Sequence, residues 1–195
     1  MFWGPGGMEL YMAAEQPDGD TLAYLLPHVK SASTTHMAPD DARAAVLLTD
    51  DAVLVYRGHE QSDASLIAPE NDAWRHISLP PAYLAAHWPL RYASLSPDGR
   101  FLGVAGRRGL AHYSCVSGRW KTHTYSAQEY AFSVRGGLAW FAHVLIAACD
   151  CDGEYQVRLY SRDQPLENAH LLELVLLSAP VVAMALFDSR LLLYT

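Results

Sequence analysis

Cys149 and Cys151 stand two residues apart beside a glycine, a Cys-x-Cys spacing that can bind a metal or react as a thiol pair. No second cysteine pair completes such a site, so the ordinary reading is a buried cysteine beside an exposed turn cysteine. None of His28, His36, His59, His76, His87, His112, His123, His143 or His170 lies at a metal-ligand spacing from another histidine or cysteine. The run Gly103-Val104-Ala105-Gly106-Arg107-Arg108-Gly109 is glycine-rich enough to cradle a phosphate. It lacks the Lys-Ser/Thr pair of a P-loop and leads into a strand, so it reads as a β-turn carrying two arginines. Those arginines could meet an acidic partner or a phospholipid headgroup, or simply be solvated. Gly-x-Ser-x-Gly does not occur, and Asp40-Asp41 and Asp50-Asp51 are adjacent acids in loops and turns. No catalytic residue, metal ligand or cofactor-binding residue is therefore assigned, and no cofactor is expected.

Composition narrows the function classes further. The chain has 195 residues, of which 51% are hydrophobic, enough to bury a real core. Only 18% are charged and the formal charge is −7, so the basic excess needed to neutralise a nucleic-acid backbone is missing. Three cysteines, Cys115, Cys149 and Cys151, make an odd set that does not suggest a disulfide framework, and a reducing cytosolic setting is expected. Met1-Phe2-Trp3-Gly4-Pro5-Gly6-Gly7 has neither the positive start nor the apolar run of a secretory signal. The most apolar stretch, 171–187, contains Glu173 and Pro180 and falls short of a membrane helix, so any membrane association is expected to be peripheral.

The elements that would position these residues are short β runs broken by turn residues, the signature of a sandwich, barrel or propeller. Runs 90–95, 101–105, 110–115 and 119–125 are joined by Ser96-Pro97-Asp98-Gly99, by Gly106 to Gly109 and by Val116-Ser117-Gly118. Pro97 presets φ and Gly99 accepts positive φ, so each break is a turn, and four antiparallel strands make one blade. On the last run Trp120, Thr122 and Thr124 alternate with Arg119, Lys121 and His123, one set for a neighbour and one for water, as on a blade's outer edge.

Further hairpins are expected at 44–48 with 52–56 through Thr49-Asp50-Asp51, at 138–149 with 155–160, and at 181–186 with 191–194 through Asp188-Ser189. Residues 171–177 read as a strand, with Leu166, Ala169 and His170 also fitting the start of a short helix. Three stretches follow: partial blades over 1–58, a polar inter-blade loop over 59–73, and blades over 74–195. At about 40 to 45 residues per WD-type blade, the chain holds roughly four. The fold class is thus all-β, a partial WD-type propeller, and both ends read as cuts through a larger propeller protein.

Several ordered motifs carry a family resemblance. They are Ala86-His87-Trp88-Pro89-Leu90-Arg91-Tyr92, Gly109-Leu110-Ala111-His112-Tyr113-Ser114, Arg119-Trp120-Lys121, Gln128-Glu129 and Arg135-Gly136-Gly137-Leu138-Ala139-Trp140. Tyr155-Gln156-Val157-Arg158-Leu159-Tyr160, Arg162 and Leu166-Glu167-Asn168-Ala169 continue the series. Together they resemble the ribosome control protein one family over about 74–195. Phe2-Trp3-Gly4-Pro5 and Thr49-Asp50-Asp51 resemble its fungal branch over 2–58.

The resemblance implies an interior propeller segment of the large subunit of a Golgi guanine-nucleotide exchange complex. That family is several times longer, with N-terminal propellers and a C-terminal helical solenoid. The implied partners are a smaller arrestin-like subunit and a Ypt-type Rab GTPase, with peripheral attachment to the Golgi membrane and a role in retrograde vesicle transport. Neither a nucleic acid nor a small-molecule substrate is implied, and this segment alone is expected to have no exchange activity.

Trp88, Pro89, Gly109, His112, Tyr113, Trp120, Gly136, Gly137, Trp140 and Tyr160 are carried over as structural positions of the family motifs. Trp88, Trp120 and Trp140 are expected to pack between blades, with a partner hot spot as the alternative. His112 is expected to make a structural hydrogen bond across the blade, and Gly136-Gly137 to mark a bulge or a close backbone approach. Which residues meet a partner is not legible. A generic propeller scaffold with unrelated partners is the alternative function. A hydrolytic propeller is a third, and would need converging carboxylates or a metal at the channel mouth.

Overall fold

A computed structural model of the chain describes residues 1–4, 7–17, 19–31, 45–57 and 73–195. The polar loop expected over 59–73, Ala73 apart, lies outside the described residues, as do Asp40-Asp41, His36, His59 and residue 44 of the second hairpin.

Strands dominate, and each pairs with the strand next to it in sequence. Short β1 (Phe2–Trp3), β2 (Glu9–Glu15) and β3 (Thr21–Pro27) form a three-stranded sheet. The next sheet has β4 (Lys30–Ser31), β5 (Val46–Leu48), β6 (Ala52–Tyr56) and β7 (Trp74–Ser78) in sequence order. Helix α1 (Pro81–His87) then leads to β8 (Tyr92–Leu95), β9 (Phe101–Ala105), β10 (Ala111–Ser114) and β11 (Arg119–Lys121), again in order. Helix α2 (Ser126–Tyr130) precedes β12 (Ser133–Phe141), β13 (Val144–Cys151), β14 (Glu154–Ser161) and β15 (Leu171–Leu177). The hairpin β16 (Ala183–Phe187) with β17 (Arg190–Tyr194) closes the chain. Four-stranded antiparallel meanders repeated in series are the blades of a β-propeller.

The blades are held face to face by three cores. Val53, Ile77, Leu102 and Val104 fill the space between the β4–β7 and β8–β11 blades. Ala105, Phe132, Trp140, Leu145 and Tyr160 fill the next, and Ile146, Ala148, Val157, Val181 and Met184 the third. Strand β13 divides itself between two of them. Leu145, Ala147 and Cys149 face one neighbour while Ile146 and Ala148 face the other, because successive side chains leave a strand on opposite faces. β12 packs on β8 and β9 before it and on β16 after it.

Several expectations are corrected. Residues 138–149 are not one strand: β12 and β13 turn through Ala142-His143, with Ala142 at φ 52°. This turn has no Gly, Pro, Asn or Asp to announce it. The run expected to reach 125 ends at Lys121. Beyond it Thr122 and Thr124 are exposed and His123 is buried against Phe132 and Tyr160, the reverse of a face sorted by polarity alone. Residues 171–177 are a strand, preceded by a 3-10 turn at Asn168–His170, so both local readings of that stretch have a place. Gly136 and Gly137 lie within β12, not ahead of it. Both have positive φ, at 98° and 136°, and the register against β13 shifts between Val134 and Leu138. A Cβ on Gly136 would stand 2.6 Å from the Val181 carbonyl oxygen, so the bulge also admits a close approach of the segment leading into β16.

Candidate functional site

Two blade crossovers carry helices, and these meet on one end of the blades. α1 returns the chain from β7 to β8, and α2 returns it from β11 to β12. α1 begins at Pro81, where a missing amide costs nothing, and its end is marked by the Trp88 amide donating to the Leu84 carbonyl at 3.0 Å. The Trp88–Pro89 bond that follows is cis.

Residues 87–91 then run beside 105–107. The Arg91 amide donates to the Ala105 carbonyl at 2.8 Å and the Arg107 amide to the His87 carbonyl at 2.6 Å. Gly106 sits between them with its amide donating to Tyr83 Oη at 3.1 Å, and a Cβ there would strike the His87 carbonyl. Burial pushes the Tyr83 phenol above its usual range, so it stays a neutral acceptor.

His87 is 0% exposed. Its ring lies 4.8 Å from that of Tyr83 and 5.0 Å from that of Tyr130, and Nε2 stands 3.1 Å from Glu129 Oε2. Imidazole and carboxylate thus stand in contact between α1 and α2, without a well-aligned hydrogen bond. The Gly109 amide donates to the Phe132 carbonyl at 2.9 Å, which fixes the β9–β10 turn against the start of β12. Around this buried pair the surface shows Trp88, Arg91, Arg107 and Tyr130. Ala86-His87-Trp88 and Gln128-Glu129 are separate motifs in the sequence, and only the fold brings the second against the first.

Several further side chains pin blade to blade. Trp140 is buried and its indole donates to the Ser94 carbonyl at 3.0 Å, while the half-buried Trp120 donates to the Ser78 carbonyl at 2.9 Å. Trp88 differs from these two, being 37% exposed at its place beyond α1. Arg75 donates to the Cys115 carbonyl at 3.0 Å and lies over the ring of Tyr113. Arg108 reaches Asp152 at 3.1 Å, linking like turns of adjacent blades. The cross-blade hydrogen bond expected of His112 is not made. Its ring is 2% exposed and meets Trp140 edge-on at 6.0 Å, and burial holds its pKa at about 4.

Cys149 and Cys151 flank the half-core of Arg158, whose guanidinium donates to Gln156 Oε1 at 2.9 Å and to Cys151 Sγ at 3.2 Å and lies 4.6 Å from the Phe132 ring centroid. Burial raises both thiols, so at neutral pH they are protonated and weakly nucleophilic. Tyr160, buried nearby, is raised for the same reason. Among the described residues, no group of three or more His, Cys, Asp and Glu is placed to hold a metal ion, and no helix is long and apolar enough to cross a membrane.

Fold and site together define a class: propeller blades whose polar side chains lock one blade to the next and whose crossover helices build one end. The chain belongs to the RIC1 second beta propeller domain family, whose sequence model matches residues 49–195. It is 26% identical to the guanine nucleotide exchange factor subunit ric1 of Schizosaccharomyces pombe over 187 residues, 95% of this chain and 18% of that protein. It is 35% identical to the guanine nucleotide exchange factor subunit R06F6.8 of Caenorhabditis elegans over 136 residues, 70% of this chain and 9% of that protein. With the guanine nucleotide exchange factor subunit RIC1 of Mus musculus it shares 36% over 100 residues, 49% of this chain and 7% of that protein. The chain therefore spans less than a fifth of the length of the curated relatives it matches.

Proposed function

We propose that this chain is the second-propeller segment of a guanine-nucleotide exchange factor subunit, serving a Golgi Rab GTPase in retrograde vesicle transport from the cytosolic face of the membrane. The observation that carries the reading is the family match over 49–195, joined to relatives that are named as exchange factor subunits. Exchange needs no bond made or broken. A factor binds the nucleotide-free GTPase more tightly than the loaded one and so draws the equilibrium toward release.

Locked blades suit the part of a scaffold, which holds other subunits in place without touching the nucleotide. In this reading a smaller arrestin-like subunit and the GTPase are the partners, and membrane attachment is peripheral. The test is release of a fluorescent GDP from a Golgi Rab GTPase. The chain alone is expected to leave the rate unchanged, while the fission yeast relative carrying this chain in place of its own second propeller retains exchange with its partner subunit. Acceleration by the chain alone, or a folded and assembled chimera without exchange, would overturn the proposal.

A further inference from the structure

We propose that the end of the blades around Trp88 is a docking site for an acidic protein segment, with Arg91 and Arg107 taking its carboxylates and Trp88 and Tyr130 its apolar side chains. The site stands whichever complex the chain serves.

Placement comes first. Arg91 and Arg107 flank one short backbone ladder, the first bonded to Ala105 and the second to His87. His87 and Leu90 of that ladder are buried, while Trp88 and Arg91 are exposed. Tyr130 is 47% exposed even though its ring touches His87, so it borders the same patch. Tryptophan, tyrosine and arginine are the side chains that carry most energy at protein interfaces.

Charge selects the occupant. Three carboxylates on this end lie against cationic or imidazole groups, Asp152 with Arg108, Asp150 with Arg135 and Glu129 beside His87, while Asp50 and Asp51 lie in the β5–β6 turn at the far start of α1. The guanidiniums of Arg91 and Arg107 have no carboxylate partner among the described residues. The chain carries 21 acidic residues against 14 basic ones, and at this place two arginines without a carboxylate partner border an exposed tryptophan. An anionic bilayer would need a denser basic cluster, on the order of 4 to 8 lysines and arginines, and would be repelled by the net charge of −7. A protein segment needs only a matching pair of carboxylates.

The platform is also set in advance. Gly106 admits no side chain against the His87 carbonyl, and Tyr83 holds its amide. Binding would therefore order little of the backbone, which keeps its entropic cost small.

The experiment measures anisotropy of a fluorescent dodecapeptide in which glutamates alternate with leucines, binding to the full chain. Its glutamine counterpart and vesicles of phosphatidylserine with phosphatidylcholine are run beside it. The glutamate peptide is expected to bind about tenfold or more tightly than the glutamine peptide, with affinity falling as salt rises. Arg91→Glu with Arg107→Glu is expected to cost about tenfold or more, and Trp88→Ala a similar factor, with thermal melts like that of the parent. Equal affinity for the two peptides, no binding of the glutamate peptide, indifference to charge reversal, or tighter Arg91- and Arg107-dependent binding to the vesicles would each overturn the proposal.

Discussion

Acid should unfold this protein through two histidines that the fold keeps neutral. His112 is 2% exposed with no hydrogen-bond partner, and His123 is 7% exposed between the rings of Phe132 and Tyr160. Burial lowers both to about 4. The Lys121 ammonium adds to this for His112; for His123 the Leu110 carbonyl opposes it and the Arg158 guanidinium reinforces it. An unfolded histidine takes up its proton near pH 6.5, so between about 6.5 and 4 the unfolded chain binds protons that the folded one refuses. Stability is therefore complete above that window and falls as the pH drops through it, by about 3 kcal/mol per histidine overall and about 2 kcal/mol at pH 5. Urea unfolding followed by tryptophan fluorescence at pH 7 and pH 5 reads this directly. His112→Phe should remove about 2 kcal/mol of the difference between the two pH values, and the double variant with His123→Phe about 4 kcal/mol. A double variant whose pH dependence matches the parent, or His112 and His123 imidazole resonances that titrate near 6.5 in the folded chain, would refute the reasoning.

Trp140→Phe keeps an aromatic ring but loses the pyrrole ring and its bond to the Ser94 carbonyl, and should cost about 2 to 4 kcal/mol in urea unfolding. Gly103→Ala would bring a methyl to 2.9 Å from Leu145 Cδ1 and 3.4 Å from the Trp140 indole nitrogen, for a loss of about 1 to 3 kcal/mol by the same measurement. Gly136→Ala combines positive φ with contact on the Val181 backbone and should cost about 3 kcal/mol or more, read as loss of soluble, cooperatively melting protein. Arg108→Ala removes a surface pair with Asp152 and should shift stability by less than about 1 kcal/mol.

The turns that the sequence announces are the turns of the structure. Ser96-Pro97-Asp98-Gly99 separates β8 from β9, Val116-Ser117-Gly118 separates β10 from β11, and Asp152-Gly153 separates β13 from β14. Each contains a residue that selects turn dihedrals locally, which is why it can be read without the fold. The β12–β13 turn was hidden because Ala142 takes positive φ with no chemical signal, held there by the pairing of Phe141 with Val144. α1 and α2 were missed for another reason: at 7 and 5 residues, they are too short to show a helical period, and their stability comes from what Tyr83 and Glu129 touch. The patch at Trp88 is a product of the same non-local contacts. Arg91 and Arg107 are sixteen positions apart, and only the ladder brings them onto one stretch of paired backbone.

Strand β13 has no side that belongs to water, and this bears on how the chain comes apart. Repeat architectures can lose one unit at a time, because each unit touches its neighbours through a surface of its own. Here Leu145 and Ile146 are consecutive residues serving different cores, and in β9 Val104 and Ala105 do the same. One core cannot melt without moving the backbone that lines the next. Loss of any one blade from β4 to β17 should therefore spread, and the segment should unfold as a single cooperative unit.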